Sequence, residues 1–401
     1  MNILKDKPKC KMNYIGSKYK LLDFISNTIL DVCGDISNSV FADVFGGTCI
    51  VGRYLKPLVK SVIVNDMEYY SYIFGRNYIV NNKIDCCSLI KELNNLSGID
   101  GFVFRNYSEN GGNDRLYYSE HNGKKIDAIR SQIEKWKLEK VINEDQYFCL
   151  LCSLLEASDK VANTTSVYGA YLKKIKKSAQ KYIQLEHPDL QNSTSKNFAY
   201  NKDVNVLIRD IEGDILYLDP PYNQREYGSN YHLLNTIAKY DDFKPKGKTG
   251  LREYNVSSFC KKKNVASSLN NIIRNANFNH IFMSYNNEGL LSFSDIKDIM
   301  SQYGKYSLRK IKYTRYKADS ERQCENNFTY EYLHILNREK NNVLFFNAHV
   351  DCGKLMYRIS GRMAKRSKNK NLKKLISKQY IIDNGLNEFE YENVGFYMQK
   401  V

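Results

Sequence analysis

The run Gly213-Asp214-Ile215-Leu216-Tyr217-Leu218-Asp219-Pro220-Pro221-Tyr222-Asn223 limits the fold more than any other stretch of this chain. Ile215 to Leu218 are apolar and bounded by charge, which predicts a short buried strand. Two prolines then stop it, because neither can donate to a ladder and each fixes its own φ. Asp219 and Tyr222 are therefore expected on a stiff turn at the carboxyl end of a strand. Open α/β sheets gather their chemistry there.

A rigid D-P-P-Y turn suits an exocyclic ring amine such as N6 of adenine, a poor nucleophile because its lone pair is delocalised. A carboxylate accepts one N–H, and a main-chain carbonyl held by proline accepts the other. Together they stabilise the positive charge that grows on nitrogen during attack. The tyrosine adds a flat face on which a base can stack. Asp219, Pro220, Pro221 and Tyr222 are the candidate catalytic residues. The plain alternative is a strand-ending turn with an incidental acid.

Upstream, Val40 to Asp43 reads as a strand, Phe45-Gly46-Gly47-Thr48 as a small-residue turn, and Ile50 to Leu58 as a helix. Small residues let main-chain N–H groups approach a ligand closely. The turn is not G-x-G-x-x-G, so a dinucleotide fingerprint is absent. Ser61 to Asn65 is a second apolar strand, ending at Asp66. An acid there is where ribose hydroxyls are bound in such folds, or it is a solvated strand end. Near the start, Asn13-Tyr14-Ile15-Gly16-Ser17-Lys18 precedes apolar residues at helical spacing, with Ser17 a candidate cap.

Residues 85–195 interrupt the βα rhythm. Ile126, Ile129, Ile133 and Trp136 recur at helical spacing, and Tyr147 to Leu155 predicts a more buried helix. Lys173, Lys174, Lys176 and Lys177 then follow among tyrosines, either as the basic face of a helical insertion that meets phosphates or as a solvated face. After the catalytic turn, Tyr231 to Ala238 looks helical, and Phe243 to Asn264 is a Lys-rich loop. Gly247-Lys248-Thr249 resembles the end of a phosphate-binding loop, but Asp242 stands where its first glycine is required. His280 to Gly289 is another strand and turn. Leu308 to Tyr316 and Phe328 to Leu336 read as a final hairpin whose link carries Lys317, Arg322 and Asn326.

The chain has 401 residues and a formal charge of +16, a balance that suits a polyanionic partner such as nucleic acid and also fits a lysine-rich compositional bias. No apolar stretch is long enough for a membrane span, and Met1 to Lys11 has no apolar core of a secretion signal. A cytoplasmic location with reduced thiols is expected. Cys149-Leu150-Leu151-Cys152 lies in an apolar run with no second pair at zinc-finger spacing, so it reads as core. The histidines form no recognisable ligand set, and no metal is expected.

Several separate motifs together resemble the Dam-like adenine-N6 DNA methyltransferases, in their restriction–modification branch. They are the N-Y-x-G-x-K stretch, the strand and turn to Thr48, Asp219 to Tyr227, Asn230 to Leu234 and Ser284 to Gly289, in the family's order from about residue 10 to 336. The resemblance implies an α/β fold: a Rossmann-like methyltransferase sheet, mostly parallel, with an antiparallel hairpin at its end and a helical insertion. It implies a catalytic domain from 1–84 and 196–340, a DNA-contact and target-recognition insertion at 85–195, and an extension at 341–401. It also implies S-adenosylmethionine as donor, held by Tyr14, Gly16, Lys18, Asp43, Phe45, Gly46, Gly47, Asp66 and Asp203. Asp203 corresponds to the acid that contacts the donor's adenine amino group. Cys49 departs from the family, standing where the turn's last glycine is usual. The implied reaction is methylation of N6 of a flipped-out adenine in duplex DNA, with a cognate restriction endonuclease encoded nearby. Cytosine N4 enzymes usually carry Ser, and protein-glutamine enzymes Asn, at the position of Asp219. RNA adenine and a catalytically silent DNA-binding scaffold stay open as alternatives.

Overall fold

The computed structural model describes residues 7–9, 12–113, 115–193, 195–314, 328–338, 346–351 and 354–359. The chain divides into two units, Met1–Arg338 and Glu339–Val401. In the larger unit lie β1 (Val40–Asp43), β2 (Ser61–Asn65), β3 (Phe198–Tyr200) and β4 (Glu212–Leu218). With β5 (Asn277–Asn286), β6 (Lys305–Thr314) and β7 (Phe328–Asn337) they form a seven-stranded sheet, in the order β3-β2-β1-β4-β5-β7-β6. β1 to β5 pair in parallel, and β7 is antiparallel to both β5 and β6. The mostly parallel sheet with a closing hairpin is therefore present as expected. Lys317, Arg322 and Asn326 in the hairpin link lie outside the described residues.

Strand side chains alternate between two hydrophobic cores, because successive residues point to opposite faces. Ile215 and Tyr217 enter one core, Leu216 and Leu218 the other. Helices Leu22–Cys33, Ile50–Leu55 and Tyr69–Phe74 cover the first face. Val204–Leu207, Val265–Asn275 and Phe293–Ser301 cover the second. The chain runs from β1 to β2 on one side, and later lays β4 on the other edge of β1. Such a reversal opens a crevice beyond the carboxyl ends of the two strands. Asp43 ends β1, and Asp219 follows β4.

Residues 85–195 supply helices Cys87–Asn95, Phe102–Tyr107, Glu120–Leu138 and Glu144–Lys160. The last begins with a capping box, Asn143 accepting from the Gln146 N–H while the Gln146 side chain accepts from that of Asn143. Ile129, Ile133, Leu150 and Leu154 join Phe74 and Leu234 in the first core. The described residues from 161 to 197 are irregular, so Lys173 to Lys177 are not on the face of a helix. Buried asparagines replace a ladder in this stretch. Asn163 donates to the Leu116 and Leu172 carbonyls and accepts from the Lys176 N–H. Asn122 bridges Ala179, Lys181 and Ile183 in the same way.

In the smaller unit β8 (Phe346–Asp351) pairs antiparallel with β9 (Lys354–Ile359). The basic segment Arg362 to Lys378 lies outside the described residues. Among the described residues no helix is long and apolar enough to cross a membrane.

Candidate active site

A cleft lies at the crevice between β1 and β4. Tyr14, Gly16 and Lys18 line it from the N-terminal segment, and Asp43, Phe45, Gly46 and Gly47 from the end of β1. Asp66, Asp203, Asp219 and Pro221 complete the sequence-derived candidates on its wall. Pro220 is buried, and neither it nor Tyr222 is among the residues that line the cleft.

The turn after β1 is built for close approach. A Cβ on Gly46 would sit 2.6 Å from Val64 Cγ2, and Gly47 has a φ of +53°. The Gly47 N–H donates to Asp66 Oδ2 at 2.8 Å, while Asp66 Oδ1 accepts from the Glu68 N–H at 2.9 Å. Cys49, the departure from the family pattern, itself adopts the left-handed conformation (φ 58°) that glycine takes freely. Its side chain is fully buried. The path of the turn is thus kept by a residue that strains to keep it. Ser17 does not cap the first long helix, whose N-cap position is Leu21; its hydroxyl accepts from the Tyr19 N–H instead.

Acids dominate the cleft. Asp43 is 2% exposed, and its Oδ1 has no hydrogen-bond partner. Burial, with the nearby Asp219 and Asp66 carboxylates, pushes its carboxyl up to about 8. Burial also raises Asp66 to about 6, against the pull of its backbone donors, and Glu68 to about 7. Asp203 differs: it is exposed at the edge and caps the short helix Val204–Leu207 through Asn205 N–H. Buried like charges raise one another's cost of ionisation. This lining fits a ligand that carries positive charge and several hydrogen-bond donors. Tyr14 packs its ring on Tyr231 at 4.6 Å and Tyr227 at 5.7 Å, so the aromatic wall is rigid.

The D-P-P-Y turn is held from three sides. Lys18 Nζ stands 2.8 Å from Asp219 Oδ2 and donates to the Gly16 carbonyl. The Tyr222 hydroxyl donates to Glu331 Oε1 at 2.6 Å, and its carbonyl accepts from the Leu290 N–H. One side of the Tyr222 ring meets Tyr285, with centroids 4.7 Å apart. Ser284 and Tyr285 are buried, at 1% and 0% exposure, so they support the turn from within. Burial opposes the charge on Lys18, but Asp219 and Glu331 outweigh it and hold the ammonium firmly protonated. Burial raises Asp219, and Lys18 partly offsets this.

Sequence reasoning missed Glu331, Glu226, Tyr227 and Phe259. The last three line the cleft, and the Phe259 ring meets Phe45 edge-on at 5.1 Å. Glu226 and Tyr227 follow closely on the D-P-P-Y turn, and that proximity was their signal. Glu331 had none, because only the β5–β7 pairing carries it there. Cys149 and Cys152 are fully buried, as expected of core. Cys149 does approach Cys86 and His187 within 4.8 Å. Both His187 ring nitrogens already face carbonyl oxygens there, those of Pro188 and Ile84, at 2.8 and 2.9 Å.

The family model of the D12 class N6 adenine-specific DNA methyltransferases matches residues 14–301. The type II methyltransferase M.NlaIII of Neisseria lactamica is 52% identical over 82% of this chain and 99% of its own length. M.FokI of Planomicrobium okeanokoites is 39% identical over 86% of this chain and 55% of that protein, so the chain spans about half of it. M.CviAII of Paramecium bursaria Chlorella virus 1 is 39% identical over 77% of this chain and 93% of that protein. With a match over most of its length and Asp219 and Pro221 of the D-P-P-Y turn on the wall of its cleft, the chain belongs to the D12 class of N6 adenine-specific DNA methyltransferases.

Proposed function

We propose that the protein transfers methyl from S-adenosylmethionine to N6 of an adenine in a specific duplex DNA sequence. We read it as the modification half of a cytoplasmic restriction–modification pair. The observation that carries the reading is the convergence of Asp219 with Asp43 and Asp66 in one acidic cleft. The unpartnered Asp43 Oδ1 and the three raised carboxyls favour a cationic donor with hydroxyl and amine groups. When bound, the donor supplies a methyl on a sulfonium sulfur, which keeps the C–S electron pair as nitrogen attacks.

The chain's own residues orient and stabilise. Asp66 accepts from ribose hydroxyls with the lone pairs its backbone donors leave free, and Asp203 accepts the donor's adenine amino group. Gly46 and Gly47 bring main chain against the methionine part, with Tyr14, Gly16 and Phe45 closing the wall. The target amine is hidden in a base pair, so the nucleotide must leave the stack at a cost of about a few kcal/mol. Asp219 and the Pro220 carbonyl accept the two N6 hydrogens, while Pro221 stiffens the turn. The ring of Tyr222 stacks on the base. As the N6–C bond forms, Asp219 faces the charge that appears on nitrogen, which then regains neutrality by losing a proton to solvent water. Positioning contributes more here than base strength, because the methyl is already activated. Residues 85–195 and the Lys-rich loop at 243–264 are the proposed DNA contacts.

The test is modification-sensitive sequencing of DNA from a methylation-deficient host that expresses the chain. N6-methyladenine at one short motif is the expected result. Asp219→Ala should fold and bind donor yet leave no mark. Unmarked DNA from the wild type, with donor binding intact, would overturn the reading in favour of RNA or a silent scaffold.

A further inference from the structure

We propose that Glu331 is a positioning residue for methyl transfer, which keeps the site negatively charged around Lys18 and fixes the Tyr222 ring. The proposal rests on the reading of Asp219 and Tyr222 given above. Glu331 is on β7, opposite Asn286 of β5, and is 5% exposed. Its Oε1 accepts the Tyr222 hydroxyl at 2.6 Å and lies 3.8 Å from Lys18 Nζ. The same ammonium is 2.8 Å from Asp219 Oδ2, so three ionisable groups share one buried corner.

The charges in that corner pose a problem that Glu331 solves. During transfer, positive charge moves from sulfur to N6, beside Asp219. An ammonium paired with Asp219 would cancel the carboxylate that ought to meet this charge. With Glu331 ionised, Lys18 is balanced by a second acid, and the trio keeps one net negative charge where N6 becomes cationic. Preorganised charge of this kind acts strongly in a water-poor site and needs no rearrangement during the reaction. The hydroxyl bond does a second job. Tyr222 meets Tyr285 on its ring and is tied to β7 at its tip, so its stacking face is held before the base arrives. A buried carboxylate on a strand is costly unless paired, and both its partners here belong to the catalytic corner.

The pH dependence follows from the groups that face Asp219: Lys18, Glu331, Tyr222, Asp43, Tyr217 and Tyr227. Burial keeps the three phenols neutral, and Lys18 stays protonated. The Asp219 charge raises the Glu331 carboxyl, and because repulsion between like charges is mutual, an ionised Glu331 opposes ionisation of Asp219. Removing the charge of Glu331 should therefore lower the carboxyl of Asp219 and shift the acid limb of the rate profile to lower pH.

The experiment compares single-turnover methyl transfer by wild type, E331Q and E331D across pH, with donor and DNA affinity measured alongside. E331Q keeps an oxygen for Tyr222 and removes only the charge. We expect its plateau rate to fall about 10- to 100-fold, less than for a group that touches the reacting atoms. Its acid limb should move down, with both affinities unchanged. E331D keeps the charge, so it should recover the wild-type acid limb and most of the rate. E331Q within twofold of wild type, or a folded E331D as slow as E331Q, would overturn the proposal. A purely structural role would slow both variants without moving the acid limb. An inactive wild type would instead overturn the reading of the whole site, and this role with it.

Discussion

Asp43 holds a carboxyl oxygen that the protein leaves unsatisfied, and its titration carries a prediction at the scale of one residue. Its folded-state value is about 8, far above the usual carboxylate range, because burial and the Asp219 and Asp66 charges disfavour ionisation. Folded protein therefore binds more protons than unfolded between about pH 4 and 8. The contribution of this group to stability is greatest below that window and is lost as pH rises through it. A cationic donor reverses the preference, since it favours the ionised carboxyl. Donor affinity should rise towards about tenfold per pH unit below the Asp43 value and level off above it. Calorimetry in buffers of different ionisation enthalpy should detect a proton released at pH 7. In Asp43→Asn that proton should be lost and the slope reduced to what Asp66 and Glu68 supply. A pH-independent affinity in the wild type would remove Asp43 from the donor site. Asp43, Asp66 and Asp219 were legible in the sequence because each ends an apolar run, and strand ends are where such sheets bind. Glu331 was not. It sits mid-strand in an ordinary aromatic segment, and its partners come from Lys18 and Tyr222, which only the assembled sheet brings near.

Among the elements, the irregular stretch from 161 to 197 is the one that periodicity could not describe. Strands and helices declare themselves through repeats of two and 3.6, whereas this segment is tied by asparagine side chains to distant backbone. Asn163 is fully buried and makes three such bonds, to Leu116, Leu172 and Lys176. Asn94 adds two with Leu185. No spacing rule signals these pairs, because an asparagine in sequence reads equally as a turn or a cap. Lys173 to Lys177 therefore lie on an irregular segment of the insertion and not on one of its helices. Asn163→Ala should leave three partly buried backbone groups without this partner, which costs about 1–3 kcal/mol. Thermal unfolding should shift down, and amide exchange at Lys176 should quicken well before the sheet is affected. Unchanged exchange at Lys176 would show that the stretch is held by its apolar contacts alone.

For the whole molecule, the charge of +16 is informative only once its cations are sorted by what already neutralises them. Arg252 belonged to the Lys-rich loop by sequence, yet it is 8% exposed and makes two bonds to Asp241, at 2.9 and 2.8 Å. It braces the loop and has little to offer a phosphate. Lys261, Lys262 and Lys263 differ: all are exposed, and only Cys260 separates them from Ser257, Ser258 and Phe259 of the cleft wall. On the proposed reaction, a basic run so close to the cleft is well sited to hold the DNA backbone beside the target base. Phosphate contacts fix register without reading sequence, so this triplet should strengthen binding to every duplex alike. Replacing all three with Gln should weaken cognate and non-cognate DNA by the same factor. It should also flatten the dependence of log K on log salt by about 0.9 for each phosphate that the protein no longer neutralises. A compositional lysine bias makes the opposite prediction, since a merely solvated run neutralises no phosphate and releases no counterions. Titrations of the triple variant at several salt concentrations separate the two, and an unchanged slope would assign the grip on DNA to other cations.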